Sequence, residues 1–205
     1  GLNATSTEVS GDLYGKRKAS SLAAYTQADA TFGRLNLSAG ARTESATQVG
    51  KKLKAKQLLR TGASYRLFEA THLRASWGQG FRFPSLAEKY VKTQVGNIVI
   101  YPNDSLQTET GWSAEVGIRQ GVKVGKWQGL IDLAYFRTEY TDMMEFSFGQ
   151  WGDQAVDPLF GLGFKSVNVG NTRITGFEAS ISGEGKIGKV DQSLMTGITL
   201  IDPRQ

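Results

Sequence analysis

Trp77-Gly78-Gln79-Gly80-Phe81-Arg82-Phe83-Pro84-Ser85-Leu86-Ala87-Glu88-Lys89-Tyr90 is followed, after a polar gap, by Asn103-Asp104-Ser105-Leu106-Gln107-Thr108-Glu109-Thr110 and then by an alternating run to Arg119. Before it, Leu73, Ala75 and Trp77 alternate with His72, Arg74 and Ser76; after it, Trp112, Ala114, Val116 and Ile118 alternate with Ser113, Glu115 and Arg119. Period two places each set on one face of a β-strand, so two strands flank the stretch. Pro84 holds Phe83 in extended geometry, and Ser85 can cap a short helical turn to Tyr90. The gap from 80 to 107 is too long for a hairpin and reads as a large loop.

The same rhythm extends in both directions. Leu22, Ala24, Ala28, Ala30 and Phe32 oppose Tyr25, Gln27, Asp29 and Thr31; Leu35, Leu37, Ala39 and Ala41 oppose Asn36, Ser38, Arg42 and Glu44; Leu59, Ala63, Tyr65 and Leu67 oppose Arg60, Ser64 and Arg66. A sixth run goes from Trp127 towards Phe146 and a seventh from about Phe164 to Ser182, with Asn168 and Gly170-Asn171 marking a bulge or break. The eighth spans about Val190 to Ile201. Connections alternate in length: short at 33 to 34, 68 to 70, 121 to 126 and 184 to 189, long at 47 to 56, 80 to 107 and 147 to 163. An antiparallel up-and-down meander of about eight strands follows, with tight turns at one rim and large loops at the other. Transmembrane β-barrels sort their connections in this way, whereas a soluble sandwich has no physical reason to do so.

Composition agrees. Hydrophobic residues make up 40% and the 25 glycines and 10% aromatics suit strands and turns, while no apolar run approaches the ~18–20 residues of a membrane-spanning helix. With no cysteine and one histidine, His72, neither a thiolate nor a histidine metal cluster can be built, and no cofactor is expected. Nothing groups a nucleophile with a base, so an enzyme is not expected. Gly78-Gln79-Gly80 begins like a dinucleotide loop, but Phe83 stands at the third glycine position. The net charge of +5 is scattered apart from Lys51, Lys52, Lys54 and Lys56, which argues against nucleic acid.

Gly80-Phe81-Arg82-Phe83-Pro84-Ser85-Leu86, the Asn103 to Glu109 segment, and Asn168-Val169-Gly170-Asn171-Thr172-Arg173-Ile174-Thr175-Gly176-Phe177-Glu178 together resemble, in order, the barrel motifs of TonB-dependent outer-membrane receptors. Tyr25-Thr26-Gln27 and Gly40-Ala41-Arg42-Thr43-Glu44 resemble the hairpin of the same family. The resemblance implies an outer-membrane barrel of about 22 strands closed by a plug, energised through TonB, and importing an iron-siderophore or other metal chelate, with cobalamin and glycans as further cargoes of the family. No plug or TonB-binding segment is recognisable in residues 1–205, so the chain is expected to be part of the barrel domain and inactive alone. Phe81, Arg82, Pro84, Ser85, Asn103, Glu109, Gly176 and Glu178 carry the motifs.

Candidate ligand contacts lie in the two longest external loops: Arg82, Phe83, Tyr101, Trp151 and Phe160. Arg82 and Pro84 read more readily as elements that steer the chain off the strand than as ligand contacts. Lys51 to Lys56 can meet lipopolysaccharide phosphates or an anionic chelate, but a solvated loop is the stronger reading. Glu44, Glu115 and Glu178 with Arg42, Arg60, Arg74 and Arg119 are expected to line the lumen, facing the plug. Expected partners are the plug and remaining strands, TonB, outer-membrane lipid and a nutrient. Outside a membrane, self-association is expected. A porin or adhesin barrel and a soluble β-sheet binding module remain the alternatives.

Overall fold

The computed structural model describes residues 1–13 and 15–204, with Ile187 described by its backbone alone. Among these residues nine strands lie side by side, each hydrogen-bonded to the next: β1 (Leu2–Val9), β2 (Arg17–Phe32), β3 (Leu35–Gln48), β5 (Lys56–Phe68), β6 (Thr71–Arg82), β9 (Glu109–Val124), β10 (Trp127–Thr141), β13 (Thr172–Ile187) and β14 (Val190–Arg204). All their pairings are antiparallel. A two-residue β4 (Lys51–Lys52) folds back on the end of β3. From β2 onward these nine contain 12 to 16 residues each, more than the ~9–11 that cross a bilayer, so they extend beyond it.

Turns at one rim are two residues long, and Gly33, Gly125 and Gly188 adopt the positive φ that such hairpins demand. At the other rim, β6 and β9 are separated by α1 (Leu86–Tyr90), β7 (Thr93–Val95) and β8 (Ile98–Tyr101), and β10 and β13 by β11 (Met144–Gln150) and β12 (Leu162–Asn168). The four short strands form a second sheet in the order β11-β12-β8-β7, with β12 and β8 parallel.

Register puts the apolar parities on one face. Leu37, Ala63, Ala75, Val116, Tyr135, Phe177 and Leu200 are successive partners across the wall. Leu37, Val116, Phe177 and Leu200 remain exposed, and Pro84 is the largest fully buried side chain among the described residues. Among the described residues of the wall, the buried apolar side chains are only the small Ala23, Ala46 and Ala134. The wall's apolar face is shaped to meet a nonpolar medium, which is the arrangement of a membrane-spanning sheet.

Three details differ from the sequence pattern. A ninth strand, β1, precedes the eight: Asn3-Ala4-Thr5-Ser6-Thr7 carries too little apolar contrast to signal alternation. The sixth run stops at Thr141, and Phe146 belongs to the second sheet. The seventh run is two strands, β12 in the upper sheet and β13 in the wall, with the break at Val169 to Asn171, where Gly170 has φ 102°.

Candidate functional site at the long-loop rim

The chain leaves β6 through a clamp. Arg82, the last residue of β6, pairs in register with Glu109, the first of β9, and its guanidinium donates to Glu88 Oε1 at 2.6 Å and Glu109 Oε2 at 3.3 Å. Ser85 caps α1 reciprocally: the Glu88 N–H donates to Ser85 Oγ (3.1 Å) and the Ser85 N–H donates to Glu88 (2.7 Å), closing a capping box. Burial works to raise the Glu88 pKa, but Arg82 and the two Ser85 donors outweigh it and hold the carboxyl below its ordinary value. Pro84 is buried, and its carbonyl accepts from Gln48 Nε2 at 2.6 Å, tying this loop to the end of β3.

A second clamp joins the two longest loops. Asn103 Nδ2 donates to the Ser166 carbonyl at 2.8 Å, while its Oδ1 accepts from the Ser105 N–H and hydroxyl. Asn168 accepts from the Gln107 N–H at 2.9 Å and donates to the Asp142 carbonyl at 2.7 Å. Glu109 Oε2 also accepts from the Met144 N–H at 2.9 Å, so one carboxylate holds the root of the first loop and the start of β11. The sequence motifs thus meet in space, and most of their polar atoms are used in holding loop roots.

Above the clamps the second sheet shows aromatic groups. Phe146 stacks on Phe164 at 5.0 Å and Phe148 meets the same ring edge-on at 5.1 Å, with Phe146 and Phe148 both exposed. Trp151 is held by its indole N–H, which donates to the Ser147 carbonyl (3.2 Å), and by Lys165 over its ring (5.6 Å). The Tyr101 hydroxyl is buried; desolvation first, and then the charge of Asp157, push its pKa up. Phe160 stands at a tip where it and Leu159 both take left-handed backbone, φ 58° and 50°, and it is 75% exposed. A side chain normally avoids this region at a cost of roughly 1–2 kcal/mol, so the turn holds an apolar ring outward against its own preference.

A family model described as the β-barrel of TonB-dependent receptors matches residues 1–201. The chain belongs to that family. Among solved TonB-dependent receptors, the siderophore receptor PirA from Pseudomonas aeruginosa superposes with a TM-score of 0.80 at 17% identity, over 98% of this chain and 38% of that one. The hemophore receptor HasR of Serratia marcescens, in complex with its hemophore HasA and heme, gives 0.72 at 17% identity, over 83% and 32%. Hemoglobin and hemoglobin-haptoglobin-binding protein A from Haemophilus influenzae is 29% identical over 130 residues, 62% of this chain and 11% of that protein. The chain therefore spans about a third of the solved receptors and a smaller part of this relative. TonB-dependent receptors are outer-membrane transporters of Gram-negative bacteria and not enzymes.

Within this receptor wall the five loop residues fare differently. Arg82 is engaged by two carboxylates; Phe83 packs edge-on against Phe81 at 4.8 Å; Tyr101 and Trp151 are partly covered; Phe160 alone is fully offered. On the wall face opposite the apolar one, Arg42 pairs with Glu44 (2.5 Å), and Arg74 bridges Glu115 (2.8 Å) and Asp132 (2.5 Å), the latter also held by Arg119 (2.8 Å). Arg60 bonds Gln27, and Glu178 points to the same face, beside Ala134 in register. Gly176 has a packing role: a Cβ there would come within 2.5 Å of the Phe136 ring. Asp132 was hidden from the pattern because Leu130 and Phe136 blur the alternation of β10, and Gln48, Gln107 and Ser166 carry no signal in their residue type.

Proposed function

We propose that the intact receptor imports an iron-bearing chelate, heme or a ferric siderophore, across the outer membrane with energy supplied through TonB. Residues 1–205 would form one portion of its barrel domain, the plug and the TonB-binding segment lying elsewhere in the intact receptor. The observation that carries the reading is the clamped rim with an outward aromatic surface, Phe146, Phe148 and Phe160, on the side where ligand arrives. Rigid roots under exposed rings favour capture of a large, partly flat ligand, because little ordering is required on binding. The names of the relatives, which bind siderophore, hemophore with heme, or hemoglobin, point to the same cargo class.

Growth under iron starvation tests it. A deletion strain should fail on one chelate, heme or a ferric siderophore, supplied as sole iron source and recover when the receptor is restored. Equal growth of deletion and wild type on every chelate would overturn the proposal. Phe160→Ala should raise the half-saturating chelate concentration severalfold with the maximal uptake rate unchanged.

A further inference from the structure

Residues paired across the wall form rows, and on the apolar face neighbouring rows change character along their length. The row that holds Ala39, Thr61, Trp77 and Ala114 reaches Arg137 on β10. The next row towards the long-loop rim runs Gln79, Trp112, Glu139, Arg173, Arg204. The apolar stretch on β2 reaches from Phe32 up to Leu22, whereas on β14 it ends at Leu200 and gives way to Asp202 and Arg204. The nonpolar band therefore crosses the register obliquely, as the ~35–45° tilt of barrel strands requires. Each row descends from the external rim at β13 into the membrane towards β2.

At that oblique limit, Glu139 accepts from Arg137 Nε at 3.1 Å and from Arg173 Nε at 2.9 Å, and the Arg137 guanidinium lies 5.6 Å from the Trp112 ring. Arg204 is matched by Asp202 (2.8 Å). Two guanidiniums on one carboxylate leave one positive charge over, with N–H donors to spare, beside an indole at the membrane boundary. On the same face, across the neighbouring strands, a shallow groove of ≈ 560 Å³ runs over Ala28, Ala39, Ala63, Ala75 and Ala114, and Ala114 is the register partner of Arg137.

We propose that Arg137 and Arg173 hold the phosphate of an outer-leaflet lipid whose acyl chain enters this groove. The proposal rests on the membrane reading of the wall and is independent of which nutrient is carried. Charge complementarity selects an anionic headgroup, and an apolar groove that reaches Ala114, the register partner of Arg137, selects an amphipathic lipid over a free anion. Glu139 serves as the positioning residue, keeping both guanidiniums side by side.

The full-length receptor, purified in detergent, is titrated with bisphosphorylated lipid A and with its dephosphorylated form, and binding is read by native mass spectrometry. Wild type should bind the phosphorylated lipid, and the Arg137→Gln/Arg173→Gln receptor about thirtyfold more weakly, since each such charge contributes roughly a factor of five at a lipid surface. Arg137→Lys/Arg173→Lys should retain most of the affinity, and Ala114→Leu should weaken acylated lipid with the arginines intact. Millimolar inorganic phosphate should not compete. Equal binding of the two lipids by wild type, equal affinity of the glutamine variant, or competition by millimolar phosphate would each overturn the proposal. Heat-modifiable migration in gels certifies that every variant is folded, and recovery of wild type in the outer membrane separates failure of the lipid site from failure of the membrane reading.

Discussion

Glu109 shows how much one side chain holds. It accepts from Arg82 and from the Met144 N–H, so Glu109→Ala leaves that backbone donor without its acceptor and Arg82 with Glu88 alone, at a cost of roughly 1–3 kcal/mol to the loop roots. The expected outcome is faster protease cleavage within 83–108 and 142–171, with heat-modifiable migration of the wall unchanged; uniform loss of the wall would refute a local role. Glu88 predicts the pH response of the same clamp. Its folded pKa lies below the ordinary 4.5, so its stabilisation is present above that value and is lost as pH falls through the folded one. Hydrogen exchange of α1 should therefore accelerate from about pH 4.5 downward after correction for intrinsic rates, and Glu88→Gln should flatten that response. Residue type made part of this legible. Pro84 and Ser85 announced a capped turn, because proline and a serine cap act locally. Gln48 and Ser166 were silent, because their partners, Pro84 and Asn103, lie 36 and 63 positions away and any polar residue reads alike in a loop.

At the scale of elements, the alternation of short and long connections decided the architecture, since turn length is a local property that survives whatever the strands pack against. Strand ends were less readable: Tyr140 and Phe146 look continuous in sequence, yet Asp142, with φ 56°, turns the chain out of the wall between them. Packing between strands adds a constraint that sequence alone does not show. The Trp127 ring lies across Gly129 and Gly183, register partners on β10 and β13, and a Cβ on Gly183 would overlap Trp127 Cζ2 and sit 2.6 Å from the Gln128 carbonyl oxygen. Gly183→Ala should thus lower the urea midpoint of the detergent-solubilised receptor by an overpacking cost of about 1–3 kcal/mol. Adding Trp127→Ala should recover part of that loss, because it removes the ring and leaves the carbonyl contact. If the double variant is worse by the plain sum of the two single effects, the ring is not what Gly183 accommodates.

At the scale of the whole molecule, the sheet of these 205 residues is open. β1 pairs with β2 alone and β14 with β13 alone among the described strands, so each presents an unsatisfied row of backbone donors and acceptors. The apolar face adds exposed Leu59, Val116, Phe177, Ile198 and Leu200, and the charged face gains rigidity from Arg74, Asp132 and Arg119 without covering them. Long flat edges and a contiguous apolar face both favour association, the first through strand pairing and the second through burial at ~25 cal/mol per Å². Expressed by itself and kept free of detergent, the chain should self-associate, and multi-angle light scattering should report particles several times the 22.3 kDa chain mass. Detergent above its micellar concentration should reduce that mass by covering the apolar face. Charged substitutions at the edges, such as Leu2→Lys with Leu200→Lys, should reduce it further, since charge at an edge opposes strand pairing. A well-folded, detergent-free monomer would mean that the sheet closes or collapses on itself in water, and the apolar face would then be a core and no longer a membrane surface.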